Sequence, residues 1–179
     1  KQVERVLQMA SMDNQSLKLN LENIDMEAIV KQTIASLEPI IKEKNGSVTL
    51  LSKDHNNFLL GDQLHLSNVI FNLIDNSLKY CEKPPEITIR ITKEGSNVKI
   101  TLKDNGIGIP KEYHARIFEK FYRIPTGNVH NVKGFGLGLN YVYSVIKAHK
   151  GKISLESEGG LGSTFTLTLP QNLKNKNVI

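Results

Sequence analysis

Apolar residues alternate with polar ones along several short stretches of the chain and recur every three or four residues along others, which separates strands from helices. Val3, Val6, Leu7 and Ala10 predict a short amphipathic helix ending near Asp13 and Asn14. Leu17, Leu19 and Leu21 alternate with Lys18, Asn20 and Glu22, a strand pattern. Asp25 is placed to cap a long helix marked by Met26, Ile29, Val30, Ile34, Leu37 and Ile41. Pro39 is expected to kink that helix or split off its last turn, and Asn45-Gly46 to end it. Strands follow around residues 48–52 and at Phe58 and Leu60, separated by a polar turn at residues 54–57. Ile87, Ile89 and Ile91, then Val98, Ile100 and Leu102, alternate strictly with polar residues. So do Ile153 and Leu155, and Phe165, Leu167 and Leu169. Strands of this kind bury one face and wet the other. The expected fold is therefore a two-layer α/β sandwich, a mixed sheet with its helices on one face, and not a doubly wound parallel sheet.

The stretch from Asp62 to Tyr80 carries more than core residues. Leu66, Val69, Ile70, Leu73 and Ile74 form an apolar helical stripe, and Asn68, Asn72 and Asn76 form a row of amides along the same helix. Lys79 and Tyr80 extend that row. Asparagine is a poor helix former, and solvent faces are usually rich in Glu and Lys. The row is either an ordinary surface or the wall of a binding site, and the stripe by itself does not choose.

Two glycine segments bear on that choice. Asp104-Asn-Gly106-Ile-Gly108-Ile109-Pro110 ends a strand, with no partner strand at hairpin distance. Pro110 stands where a helix would begin, with Tyr113, Ile117, Phe118 and Phe121 at helical spacing after it. Lys133-Gly134-Phe135-Gly136-Leu137-Gly138-Leu139 opens a helix carrying Val142, Val145 and Ile146. Glycines at a helix start can cradle a phosphate or simply permit close packing. Neither a P-loop nor a dinucleotide fingerprint is present. Residues 120–133 lack an apolar period and read as a lid bracketed by the glycine segments.

Composition narrows the class. The chain has 179 residues, 39% hydrophobic and 23% charged, with one cysteine, Cys81. That suits one soluble domain with an appendage in a reducing compartment. No apolar run reaches bilayer length, and no signal peptide or Cys/His metal cluster is visible. The charge of +5 is scattered, without the aromatic interleaving a nucleic-acid surface needs. Opening on Lys1 rather than Met, the chain reads as an excised piece of a longer protein.

Taken together, these segments resemble the catalytic and ATP-binding domain of two-component sensor histidine kinases, within the ATPase family that includes gyrase and Hsp90. Residues 72–80 are similar to the N box, 104–110 to the first glycine box, 117–123 to the F box and 134–139 to the second glycine box. Residues 159–165 resemble the hairpin that closes the domain. The resemblance implies a Bergerat-type fold with ATP and magnesium as cofactors. Asp104 would accept the exocyclic amine of adenine, and Asn76 with Asn72 would hold magnesium. Lys79, Tyr80 and Arg123 would line the phosphate and sugar side, with Asn72, Lys79 and Arg123 as the catalytic set. Further nucleotide contacts would come from Gly106, Gly108 and Ile109, and from Phe118 and Tyr122 of the F box. Lys133, Gly134, Phe135, Gly136, Leu137, Gly138 and Leu139 would complete the set.

Three positions depart from the family pattern. Lys120 stands for an Arg, Phe135 for a small residue that is often Thr or Ser, and Ser77 for the usual Ala. In gyrase-like relatives a glutamate base occupies the position of Asn72. None of His55, His65, His114, His130 or His149 is followed by the acidic residue of a phosphoacceptor site, so that histidine is expected upstream. Residues 1–16 would be the end of the dimerisation helix and linker, 17–170 the catalytic domain and 171–179 a flexible tail. The implied partners are ATP or ADP, an upstream dimerisation and phosphotransfer domain, and a response regulator. The whole protein would be a homodimer, with this domain on the cytoplasmic side of an inner-membrane-anchored sensor. An ATPase or serine kinase of related fold, and a non-enzymatic ATP-responsive module, are the competing readings.

Overall fold

The computed structural model describes residues 17–52, 57–124 and 135–172. The expected opening helix, most of the polar turn at 54–57, most of the proposed lid and most of the terminal tail lie outside the described residues. Seven strands and three α-helices are present among them: β1 (Glu22–Asp25), α1 (Met26–Glu43), β2 (Ser47–Ser52), β3 (Phe58–Gly61) and α2 (Gln63–Lys79). There follow β4 (Glu86–Glu94), β5 (Asn97–Asp104), α3 (Gly138–Ala148), β6 (Lys152–Glu158) and β7 (Gly162–Pro170).

The main sheet has five strands in the order β2-β4-β5-β7-β6, and β1 and β3 form a separate antiparallel pair. β2 runs parallel to β4 and the other pairings are antiparallel, so the sheet is mixed. The alternation in the sequence maps onto its two faces. Ile87, Ile89, Ile91, Val98, Ile100, Leu102, Leu167 and Leu169 are all buried under the helices. Between them, Thr88, Arg90, Thr101 and Thr166 stand on the open face, half-buried or exposed. From the other layer come Val30 and Leu37 of α1, Leu66, Ile70, Leu73 and Ile74 of α2, and Val142, Val145 and Ile146 of α3. This is the two-layer sandwich that the alternation predicts.

The helix caps follow the sequence closely. Asp25 Oδ1 accepts the N–H of Glu27 at 2.9 Å, and Asp62 Oδ1 accepts that of His65 at 2.9 Å. At the end of α1 it is Asn45 that takes the left-handed conformation, at φ 51°, while the Gly46 N–H closes on Ile41 O at 2.8 Å.

Several expectations do not hold. Residues 17–21 form no strand: the Asn20 N–H donates to Asp62 Oδ2 at 2.8 Å, and the first ladder begins at Glu22. Pro39 does not split off the last turn, since α1 runs through it to Glu43. After Pro110 there is a single 3₁₀ turn (Lys111–Tyr113) and then further turns, not an α-helix. Most backbone bonds there span three residues, as in His114 N to Lys111 O and Arg116 N to Tyr113 O, so the apolar spacing is met by tighter winding. Gln171 is not part of a free tail. Its N–H donates to Ser96 O and its carbonyl accepts from Leu60, both at 2.9 Å.

Candidate nucleotide-binding site

A cavity of about 300 Å³ opens between α2, the loop after β5, and the start of α3. One of its polar groups is Asp104, at the end of β5 and only 8% exposed. Oδ1 accepts the N–H of Gly106 at 2.9 Å and that of Ser163 at 3.0 Å. Oδ2 accepts the hydroxyl of Ser77 at 3.0 Å. Two glycines make this possible. A Cβ on Gly162, at φ 85°, would lie 2.1 Å from Asp104 O, and one on Gly108, at φ 69°, would lie 1.9 Å from Glu158 O. Both obstacles are backbone, so neither position admits a side chain. The loop and the β6–β7 hairpin are further joined by Ile109 N to Ser157 Oγ at 2.8 Å and Gly160 N to Ile107 O at 2.7 Å.

α2 supplies the opposite wall. Asn72 and Asn76 line the cavity, but Asn68 does not; it is buried one turn earlier, its Nδ2 3.5 Å from the hydroxyl of Tyr141. Asn72 Nδ2 donates to Asn68 O at 2.8 Å, which fixes the amide and leaves Oδ1 as its free end. A Cβ on Gly138 would come within 3.0 Å of that oxygen, so this glycine leaves room for the amide and not for a turn. The Asn76 amide has no hydrogen-bond partner among the described residues. Lys79, on the same wall, is paired with Asp75 at 2.6 Å across one helical turn. α3 begins at Gly138 with no side-chain cap, and Gly136, Leu137 and Leu139 also line the cavity. Its first-turn N–H groups are therefore available to an anion.

Magnesium prefers oxygen ligands and usually keeps waters and substrate phosphates in its shell. Among the described residues no cluster of three or more His, Cys, Asp or Glu could hold a metal alone. The two amide oxygens of Asn72 and Asn76 fit an ion that arrives with phosphates.

Of the residues proposed from sequence, Tyr80, Ile109, Tyr122, Arg123 and Phe135 also lie on the cavity wall. Lys133 and Gly134 lie outside the described residues. Phe118 does not line the cavity. It packs against the core and the ring of Tyr143, 5.7 Å between centroids, and its carbonyl accepts from Asn140 Nδ2 at 2.8 Å. It anchors the start of α3 and leaves the cavity wall to Tyr122. Gly106 does not line the cavity either; it holds Asp104, and a Cβ there would meet Tyr80 O at 2.6 Å. Sequence reasoning missed Ser77 and Ser163 as partners of Asp104, and Ile107, Ile117, Ile124 and Phe165 as apolar lining. The Ser-for-Ala change at position 77 was the one visible signal.

The described histidines, His65, His114 and His149, stand apart from the cavity. His149 is 1% exposed, accepting the Asp62 N–H at Nε2 (3.0 Å) and facing Val145 O with Nδ1 (2.8 Å). It is therefore neutral, with the proton on Nδ1, and burial lowers its pKa below the ordinary histidine value. His65 Nδ1 lies 2.8 Å from the Tyr141 hydroxyl, and His114 Nε2 lies 2.8 Å from Ile109 O.

Several known proteins are similar to this chain. The sensor protein RprX of Bacteroides fragilis is 43% identical over 177 residues, which is 97% of this chain and 34% of that protein. The sensor-like histidine kinase SenX3 of Mycolicibacterium smegmatis is 33% identical over 85% of this chain and 39% of its own length. The chain thus spans little more than a third of either relative. Full-length ShkA, solved with AMPPNP, superposes with a TM-score of 0.80 at 25% identity, over 94% of this chain and 35% of that one. The nucleotide-free catalytic domain of histidine kinase ThkA shares the fold, with a TM-score of 0.75 at 21% identity over 86% of this chain and 97% of that one. Residues 61–173 match the family described as histidine kinase-, DNA gyrase B- and HSP90-like ATPase, and they contain both walls of the cavity. This chain belongs to that family.

Proposed function

We propose that this chain is the ATP-binding kinase domain of a sensor histidine kinase. It passes the γ-phosphate of ATP to a histidine on an upstream dimerisation and phosphotransfer domain, for relay to a response regulator. Residues 1–16 would close that upstream helix, and the whole protein would be a homodimeric, membrane-anchored sensor. No helix among the described residues is long and apolar enough to cross a membrane.

The observation that carries this reading is Asn72. Its side chain is held by Asn68 O and ends in an amide, which takes no proton from water near neutral pH. Of the two carboxylates on the cavity wall, Asp104 is bonded at the far end and Asp75 is paired with Lys79. Among the described residues, water in the site therefore lacks a positioned base, a loss of roughly a hundredfold or more. Phosphoryl transfer otherwise needs alignment and charge neutralisation. Asp104 would orient the adenine amine; Lys79, Arg123 and the N–H groups of Gly136, Gly138 and Leu139 would meet the phosphates. Asn76 and Asn72 would hold a magnesium ion that offsets phosphate charge. A neutral imidazole, itself the nucleophile, needs less from a base than water does. None of the described histidines lines the cavity, and the acceptor would be the histidine of the upstream domain.

Radiolabelled ATP separates the readings. The isolated chain should hydrolyse ATP very slowly and leave itself unlabelled, and should transfer acid-labile label to an added cognate dimerisation domain. Brisk hydrolysis by the chain alone would favour an ATPase. Acid-stable phosphoserine on a partner would favour a serine kinase, and binding without any transfer a nucleotide-responsive module.

A further inference from the structure

A helix cap needs only one side-chain oxygen. Asp25 caps α1 with Oδ1 alone, accepting the Glu27 N–H at 2.9 Å. Asp62 caps α2 in the same way, with Oδ1 on the His65 N–H at 2.9 Å, and has a second oxygen left over. That oxygen, Oδ2, reaches 42 residues back along the chain to take the Asn20 N–H at 2.8 Å. It is the one hydrogen bond that residues 17–20 make among the described residues, and Leu17 also packs against the core. The alternation of Leu17, Leu19 and Leu21 thus ends not in a ladder but in a stretch held at a single polar point. Asp62 is 6% exposed, and its backbone is fixed from a third side, its N–H donating to Nε2 of His149 at the end of α3 (3.0 Å).

We propose that Asp62 is the latch of a strap: residues 17–21 are fastened to the start of α2 by a bond the helix cap does not use, and letting go lengthens the tether to the upstream domain. The proposal rests on the reading above, in which that upstream domain carries the acceptor histidine. Five residues span at most about 17 Å when extended. Latched, the strap holds the entry of the chain against α2, the helix that carries Asn72 and Asn76. Released, it lets the cavity sweep a wider volume toward the acceptor. One hydrogen bond to a charged group, beside a modest apolar contact, can open without unfolding the domain. The strap ends at β1, which stays paired with β3 from Glu22 onward.

Two variants open the latch from opposite sides. Asn20→Pro removes the donor and leaves Asp62 untouched, whereas Asp62→Ser keeps a hydroxyl for the cap and has no second acceptor. Trypsin cleavage after Lys18 and amide exchange across residues 17–21 report opening in the full chain. Both should quicken by about tenfold or more in each variant, the scale of one hydrogen bond to a charged group, while the melting temperature stays at the parent value. Unchanged cleavage in both variants would overturn the latch, as would a parent whose residues 17–21 exchange as fast as an unfolded chain. Faster cleavage matched by an equal loss of whole-domain stability in both variants would overturn it too. In the protein that carries the upstream domain, either variant should raise label transfer from ATP severalfold at unchanged ATP affinity. Equal transfer by parent and variants would overturn the release step. No transfer from the parent would instead remove the kinase reading, and the Lys18 result would still decide the latch.

Discussion

At the Asp104 end of the cavity the polar groups are buried and bonded to one another, whereas at the Asn76–Lys79 end they are half-exposed and weakly held. Asp104 takes two backbone N–H groups and a hydroxyl, each from a different segment of chain. Glycines whose side chains would strike backbone lock those segments together. At the other end, Asn76 has no bonded partner among the described residues. Lys79 holds Asp75 through a one-turn ion pair with 41% and 20% of the two side chains exposed. Such pairs contribute little and break readily. The end proposed for base recognition is thus built into the fold before any ligand arrives, at the cost of strict backbone geometry. The end proposed for the phosphates keeps its charges loosely tied, which would let them reorient toward phosphates and a metal that differ between substrate and product.

The largest effect should come from breaking the rigid end. Gly108→Ala places a Cβ against Glu158 O at positive φ, and should cost ~3 kcal/mol or more of folding stability. Gly138→Ala, at the other wall, meets only the Asn72 side chain and gains helix propensity, so its stability should stay within about 1 kcal/mol of the parent. It should still weaken magnesium-nucleotide binding. Denaturant titration of both variants checks the contrast, and equal losses would contradict it.

Next is Asp104→Asn. The amide oxygen can keep both backbone N–H groups, but its nitrogen then faces the adenine amine. Nucleotide affinity should fall by ~1–3 kcal/mol while the fold persists. Calorimetric titration with unchanged affinity would remove Asp104 from base recognition.

A smaller effect concerns the start of α2. His149 is neutral in the fold with a lowered pKa, caused first by burial and then by the nearby His65 charge, against the opposing Val145 carbonyl and Asp62. The unfolded chain takes up the proton at the higher, ordinary value, so the contribution of His149 is complete above about pH 6.5. It is lost progressively as pH falls below that toward the folded-state pKa. Protonation of Nε2 also removes the acceptor for the Asp62 N–H. Melting curves between pH 7.5 and 5 should show a steeper loss for the parent than for His149→Gln; parallel curves would exclude the mechanism.

The smallest change in stability is expected at the loose end. Asp75→Asn should alter folding by less than ~0.5 kcal/mol, since it removes only an exposed pair. Its effect should appear instead in the salt dependence of nucleotide binding, because Lys79 is released. A stability loss of several kcal/mol would mean that this end is as tightly built as the other.

The glycine segments, the row of amides and the Asp104 strand end were legible in the sequence because each is a local pattern with a local reason. A cap bonds two or three residues ahead, a helical face repeats within one turn, and a half-buried strand alternates at every residue. Those rules placed β4, β5, β7, α2 and α3 and brought most of the candidate site residues to one cavity. They said nothing of Ser77 and Ser163, which meet Asp104 from 27 and 59 residues away. Nor did they show that the apolar spacing after Pro110 would wind as tight turns and carry Phe118 away from the cavity. The parallel pairing of β2 with β4 is equally silent in the chain. The physical reason is common to all of these. Periodicity and capping are settled by neighbours within a few residues. The partner of a buried polar group, and the winding of a short segment, depend on which distant elements pack beside it.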